Sequence, residues 1–330
     1  MPGLSESRLL HHGGRSGSWG SLGWWGAHMD APMDALNEAP DYALDYALDY
    51  APIDYHGACT ALARHLAHAA GLGAGDRVLS VACGEGEELR LWVQEFGAGA
   101  VVGVELDAGR AQRARAATAA LPGVRVLHGS GAALPALGLP EAGFDRVLCV
   151  DAAYHLQPRT AFLQAAFKLL RPGGRLAYTD LMLHSARAVW RRALLGLGTR
   201  ACGLAPGSLL GAPAQLQRLY EAGFGDAQLQ VWDDAVLGGY TRFVRRQART
   251  LPGGVGVGGV WQAGWRRVAL TAMWIPPCRA AGLGYAMLSA RKPLGLGMGM
   301  GTAAGAAATA AATASADRTA LSSSGTPSSA

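Results

Sequence analysis

The sequence predicts an α/β protein, a doubly wound sheet of seven mostly parallel strands with helices packed on it, and three observations carry that prediction. Short apolar runs alternate with amphipathic segments from Val78 onward, the alternation that builds a parallel sheet. The first run, Val78-Leu79-Ser80-Val81, breaks into a small-residue turn, Ala82-Cys83-Gly84-Glu85-Gly86. The second, Val101-Val102-Gly103-Val104, ends on an acid, Glu105, and a helical crossover between two such runs makes a right-handed parallel pair.

An alanine-rich helix, 58–70, precedes the first strand, with Leu62, Leu66 and Ala69 on one face and Gly71 as its stop. His56, His65 and His68 lack a fourth ligand, so surface or helix-packing histidines are expected there and no metal site. From Glu87 the apolar positions Leu89, Leu91, Trp92, Val93 and Phe96 mark the crossover helix. After Asp107 a basic helix runs through Arg110, Arg113 and Arg115 until Leu121-Pro122-Gly123 ends it. Strands are expected at 124–127 and 144–150, a helix at 159–170, and a fifth strand at 175–179 behind the turn Arg171-Pro172-Gly173-Gly174. Two helical patterns follow at 185–197 and 213–222, then a sixth strand at 229–232. An arginine-rich helix near 240–250, a linker at 251–259, a tryptophan-bearing helix near 260–274 and a seventh strand at 288–290 complete the series.

The strand-turn-helix-strand unit suits a nucleoside. Gly84 and Gly86 admit a ligand close to the backbone, and Glu105, about 20 residues on, can accept hydrogen bonds from both ribose hydroxyls. A dinucleotide needs a third glycine where this chain has Leu89, and Glu85, Glu87 and Glu88 set negative charge at the helix start, where it repels phosphate. S-adenosylmethionine, a sulfonium without phosphate, is the better fit. Ligands of doubly wound sheets sit beyond the carboxyl ends of the strands, which brings Asp151, Tyr154 and His155 to the ligand side.

In order and spacing, VLSVACGEG at 78–86, VVGVELD at 101–107, HGSGAALP at 128–135, FDRVLCVDAAYHL at 144–156 and LLRPGGRLAYTDL at 169–181 resemble the motifs of class I S-adenosylmethionine-dependent methyltransferases of the small-molecule, type 11-like kind. The resemblance covers residues 55–292 and implies a Rossmann-like sheet with an inserted helical substrate cap at 184–222 and acceptor-side helices at 240–275. It implies S-adenosylmethionine as cofactor and a small-molecule acceptor methylated on O, N or C. Cofactor contacts are implied for Ser80, Ala82, Cys83, Gly84, Gly86, Glu105, Leu106, Ser130, Gly131, Ala132 and Asp151. For an acceptor that must lose a proton, His155 is the candidate base, with Asp151 and Asp180 orienting it or the substrate. A packed histidine at a helix start is the competing reading.

Three positions depart from the resembled pattern. Ser80 stands where the motif carries an acid, Ala82 where it carries its first glycine, and Ser130 where an acid reads the adenine amino group. These departures weaken cofactor contacts and support an alternative, a catalytically weak methyltransferase-like binding protein or partner subunit.

Glycine supplies 47 of 330 residues, about twice its ordinary share, so part of the chain is not packed core. Residues 1–54 and 293–330 are the low-complexity stretches, expected to be disordered around a methyltransferase domain at 55–292. Within the first, Asp-Tyr-Ala-Leu repeats over 41–52 align Tyr42, Tyr46 and Tyr50, either as an aromatic lid or as a duplication without a role. The uncharged stretch from Pro293 to Ala316 holds too few strongly inserting residues for a stable membrane span. Five cysteines without C-x-x-C pairs point to reduced thiols and an intracellular, cytoplasmic setting, with organelle import left open by Arg8 and Arg15 among serines. The net charge of +5 is dispersed, which disfavours a nucleic-acid partner. Trp261, Trp265 and Trp274 either line an apolar substrate pocket or pack in the core. The oligomeric state has no signature in the sequence.

Overall fold

The computed structural model describes residues 19–26, 54–184, 189–201, 203–205, 208–250 and 263–294. Helix α1 (Tyr55–Ala70) begins at Asp54, whose side chain accepts the Gly57 N–H, and ends at Gly71 in the left-handed conformation. The alternation expected from the sequence follows: β1 (Arg77–Val81), α2 (Glu87–Gln94), β2 (Ala100–Glu105), α3 (Ala108–Thr118), β3 (Val124–His128), β4 (Phe144–Cys149), α4 (Arg159–Leu169) and β5 (Leu170–Leu183). Then come α5 (Val189–Ala201), α6 (Ala212–Glu221), β6 (Gly225–Val231), α7 (Gly239–Thr250), α8 (Ala263–Ala280) and β7 (Leu283–Arg291).

The seven strands form one sheet in the order β3-β2-β1-β4-β5-β7-β6. Strands β1 to β5 pair in parallel, and β7 runs antiparallel to both β5 and β6. Strand alternation splits the core in two. Val78, Val101 and Leu148 join the α1, α2 and α8 side, while Leu79, Val104 and Val147 face Phe162 and Leu163 of α4.

Several elements run longer than their sequence patterns, two of them through prolines. Strand β5 starts at Leu170 because its register against β4 shifts between Phe144 and Arg146, absorbing Arg171-Pro172-Gly173-Gly174 as an irregular opening. Helix α8 continues through Pro276 and Pro277 to Ala280. Those prolines remove only two donors, and the end is closed by the Ala281 N–H on Pro277 O at 3.0 Å and the Gly282 N–H on Arg279 O at 2.8 Å.

Part of the stretch expected to be disordered is packed. In residues 19–26, Trp19, Trp24 and Trp25 are buried. The Trp24 N–H meets Ala58 O at 2.7 Å and the Trp25 N–H meets Ala235 O at 2.8 Å. Trp24 contacts the rings of His65 at 4.2 Å and Trp232 at 4.8 Å, and Trp25 stacks on Phe243 at 4.5 Å. Three tryptophans in seven residues offer enough apolar surface to offset the entropy of ordering a short segment. The helix α1 histidines are ring-packing residues, His68 against Phe96 and His56 against Trp19. Cys59, Cys83 and Cys149 are buried free thiols and Cys278 is buried, and burial pushes the Cys59 thiol up to about 12. Among the described residues no helix is long and apolar enough to cross a membrane. The tyrosine repeat at 41–52, the 251–259 linker, Trp261, Cys202 and the tail beyond 294 lie outside the described residues.

Candidate active site

A cavity of about 1260 Å³ opens beyond the carboxyl ends of β1, β2 and β4, where the strand order reverses and doubly wound sheets take their ligands. Pockets for single small ligands hold roughly 300–1000 Å³, so this one has room for a nucleoside and a second molecule.

The turn after β1 forms one wall. Gly84 has φ 57°, and a Cβ there would meet nothing within 4 Å, which leaves its backbone open to the cavity. Gly86 has a different role from the one the sequence implied. It is absent from the wall, and its Cβ would sit 3.2 Å from Ala114 Cα, so it lets α2 pack on α3. Ala82 takes φ 62°, a conformation that costs an L-residue about 1–2 kcal/mol and explains the glycine of the resembled motif. The turn tolerates alanine and keeps it on the wall with Cys83.

Glu105 is 6% exposed and lies across from that turn. Its Oε2 accepts the Gly84 N–H at 2.9 Å and its Oε1 the Asp107 N–H at 3.0 Å. Each oxygen keeps a second lone pair, so a rigidly held carboxylate faces the cavity with accepting capacity left. Leu106, 68% exposed, forms the rim. Ser130, Gly131 and Ala132 complete this end, with Ser130 Oγ accepting the Ala132 N–H at 3.2 Å and its own hydrogen left for an acceptor.

Ser80 is fully buried and absent from the wall. Its hydroxyl donates to Glu88 Oε1 and accepts the Trp92 Nε1–H at 3.2 Å. Glu88, which sequence reasoning treated as helix-start charge, is instead on the wall and only 5% exposed. Burial pushes its carboxyl up to about 8 against the Ser80 hydrogen bond, with the charge of Glu105 adding to the rise. The overlooked signal is spacing, since Glu88 precedes Trp92 by four residues and shares its buried stripe.

The acceptor side begins at the turn after β4. Asp151 is buried with φ 50°. Its Oδ2 accepts the Leu22 N–H at 2.5 Å, and its Oδ1 accepts Tyr154 OH at 3.0 Å and Tyr285 OH at 2.7 Å. Burial raises its carboxyl to about 6 despite those donors. His155 is exposed on the cavity wall, and partial desolvation, then the Arg159 charge, holds it below the ordinary imidazole range. Its ring is therefore neutral at pH 7 and able to take a proton.

Asp180 is not brought to the cavity. It is fully buried and paired with Arg159 on the α4 side of β5, and burial pushes it up to about 7 against the Arg159 charge. Leu195 of α5, Leu204 and Val268, Trp274 and Ile275 of α8 form the far wall as an apolar chamber, within the 184–222 and 240–275 stretches expected on the acceptor side. Sequence reasoning missed Trp19 and Leu22, which roof the cavity from the N-terminal segment. Of the three tryptophans proposed for a pocket, Trp274 lines it, while the side chains of Trp261 and Trp265 lie outside what the structure describes.

A family profile described as a methyltransferase domain matches residues 78–174, from β1 into the opening of β5. An erythromycin 3''-O-methyltransferase of Saccharopolyspora erythraea is 30% identical over 53% of this chain and 59% of its own length. A 27-O-demethylrifamycin SV methyltransferase of Amycolatopsis mediterranei is 34% identical over 38% of this chain and 46% of its own. The chain thus spans about half the length of these curated relatives. A geranyl diphosphate C-methyltransferase from Streptomyces coelicolor A3(2) superimposes with a TM-score of 0.61 at 14% identity, covering 87% of this chain and 96% of that one. The matched domain contains the glycine turn, Glu105 and the strand leading to Asp151, so residues 78–174 are those of a methyltransferase domain of the class I S-adenosylmethionine-dependent kind.

Proposed function

We propose that the protein transfers the methyl group of S-adenosylmethionine to a small apolar acceptor. The observation that carries this reading is one continuous cavity joining an acid-lined nucleoside cradle to an apolar chamber. Glu85, Glu87, Glu88, Glu105 and Asp107 at the cradle end favour a cationic ligand over a pyrophosphate.

Glu105 binds the ribose hydroxyls, the Gly84 backbone closes on the nucleoside, and Leu106 and Ser130 meet the adenine. Bound S-adenosylmethionine supplies a methyl group already activated by its sulfonium. The protein's main contribution is then to align the acceptor in the chamber, which is worth roughly 7–11 kcal/mol of barrier lowering. His155 takes the proton of a hydroxyl acceptor, a contribution of about a hundredfold to ten-thousandfold. The O-methyltransferase in the name of the Saccharopolyspora relative supports a hydroxyl. Asp151, held by three donors, is a positioning residue that ties the N-terminal segment to Tyr154 and Tyr285. Dispersed arginines and buried free thiols support a cytoplasmic enzyme without a nucleic-acid partner.

Calorimetric titration of the full chain and of Glu105→Ala with S-adenosylmethionine and with NAD tests the reading. Micromolar S-adenosylmethionine binding lost in the variant is expected, followed by transfer of labelled methyl to hydroxylated apolar acceptors. NAD binding instead, or no binding by folded protein, overturns it.

A further inference from the structure

The carboxylate that strand β1 lacks is present at the site, carried by a different element. Ser80 donates its hydroxyl hydrogen to Glu88 Oε1, and the Trp92 indole N–H fixes the hydroxyl from the other side. Oε2 of Glu88 has no hydrogen-bond partner among the described residues, yet the side chain is nearly buried and lines the cavity. Its charged neighbour there is another acid, Glu105. Cys83 of the turn and Cys149 of β4, both within its field, are buried thiols whose values burial raises, so neither competes for its proton. A buried carboxyl with one neutral partner and one like charge is costly to ionise without a cation. The ligand proposed for this cavity carries one, the ammonium of its amino acid end.

We propose that Glu88 holds the cationic amino group of bound S-adenosylmethionine, positioned by Ser80, so that the acid of the resembled motif has moved from β1 to α2. This rests on the cofactor reading above. Glu88 is largely protonated in the empty site near pH 7, because its value stands at about 8. Pairing with the ammonium favours the carboxylate, so its proton passes to the buffer as the ligand enters. Ser80 in place of a fixed acid leaves the empty cradle with one ionised carboxylate fewer beside Glu105.

The test is calorimetry of the full chain near pH 7 in Tris and in phosphate, which differ in ionisation enthalpy. Two ligands are compared, S-adenosylhomocysteine and 5′-methylthioadenosine, the latter sharing the nucleoside but lacking the amino acid end. Glu88→Gln is expected to weaken S-adenosylhomocysteine by about tenfold to a hundredfold while methylthioadenosine changes by less than about twofold. Wild type should release about one proton with S-adenosylhomocysteine and none with methylthioadenosine. Glu88→Gln should release none, and Ser80→Asp/Glu88→Gln should regain affinity. Equal affinities for wild type and Glu88→Gln, or a parallel loss of both ligands, overturns the assignment of Glu88. Failure of wild type to bind either ligand overturns the cofactor reading itself, and retained methylthioadenosine binding certifies that a variant is folded.

Discussion

Removing Arg159 from its buried pair with Asp180 should destabilise the protein by an amount that grows with pH. Both side chains are nearly inaccessible, and Arg159 Nε, Arg159 Nη2 and Asp180 Oδ1 have no hydrogen-bond partner among the described residues. Asp180 stands at about 7 in the folded protein, against about 3.9 unfolded. The native state thus keeps a proton that the unfolded state has lost, and the stability this gives is complete below about pH 4 and lost as pH rises to 7. Above pH 7 the wild-type carboxylate is ionised and paired, and the loss levels off. In Arg159→Met the nearer opposing charge is gone and only the weaker one of Arg218 remains, the folded value rises further, and stability keeps falling by about 1.4 kcal/mol per pH unit. The variant should cost little near pH 5.5, where Asp180 is protonated in both proteins. By pH 8.5 its extra cost should reach about 2 kcal/mol, below the roughly 3–5 kcal/mol of a fully uncompensated buried charge. Urea unfolding at pH 5.5 and pH 8.5 measures it. Arg159→Met/Asp180→Leu should recover most of the loss, since the native pair is poorly satisfied. A cost independent of pH, or a double variant no more stable than the single one at pH 8.5, refutes this account.

Other changes probe the site directly. Glu105→Gln keeps one accepting oxygen and should weaken S-adenosylmethionine by roughly tenfold to a hundredfold in calorimetry; unchanged affinity would remove Glu105 from the ribose. Methyl transfer to a hydroxyl should decline as pH falls through the lowered His155 value, so its acid limb lies below the ordinary 6.5 or so of imidazole. His155→Ala should abolish that limb, and an unchanged profile would assign the base elsewhere. A Cβ at Gly239 would land 2.1 Å from Trp25 Cβ, so Gly239→Ala should lift the N-terminal segment, free the Leu22 N–H from Asp151 and expose residues 19–26 to protease. A wild-type digestion pattern would show that the segment accommodates the methyl. Trp274→Ala opens the apolar chamber and should shift kcat/KM toward bulkier acceptors by roughly tenfold, whereas equal ratios would place the acceptor away from α8.

Periodicity and glycine placement are local properties, and they decided the sheet, the glycine turn and Glu105 from the sequence alone. Five strands alternating with helices leave a parallel sheet as the compact solution, and an acid at the end of its second strand must lie at the carboxyl edge. Facing was decided only in three dimensions. Thr179 and Asp180 both end the same apolar run, yet the pleat sends them to opposite faces. Thr179 Oγ1 meets the Asp151 N–H at 2.8 Å and Tyr285 OH at 2.8 Å beside the site, while Asp180 turns to Arg159. Glu88 lies eight residues from Ser80 in the chain, but only the packing of α2 on the sheet brings its carboxyl to that hydroxyl. Trp19 and Leu22 reach the cavity from 129 residues before Asp151 in the case of Leu22. Such contacts depend on how distant segments close over one another, which no local pattern records, whereas strand direction and turn geometry are written in the residues that form them.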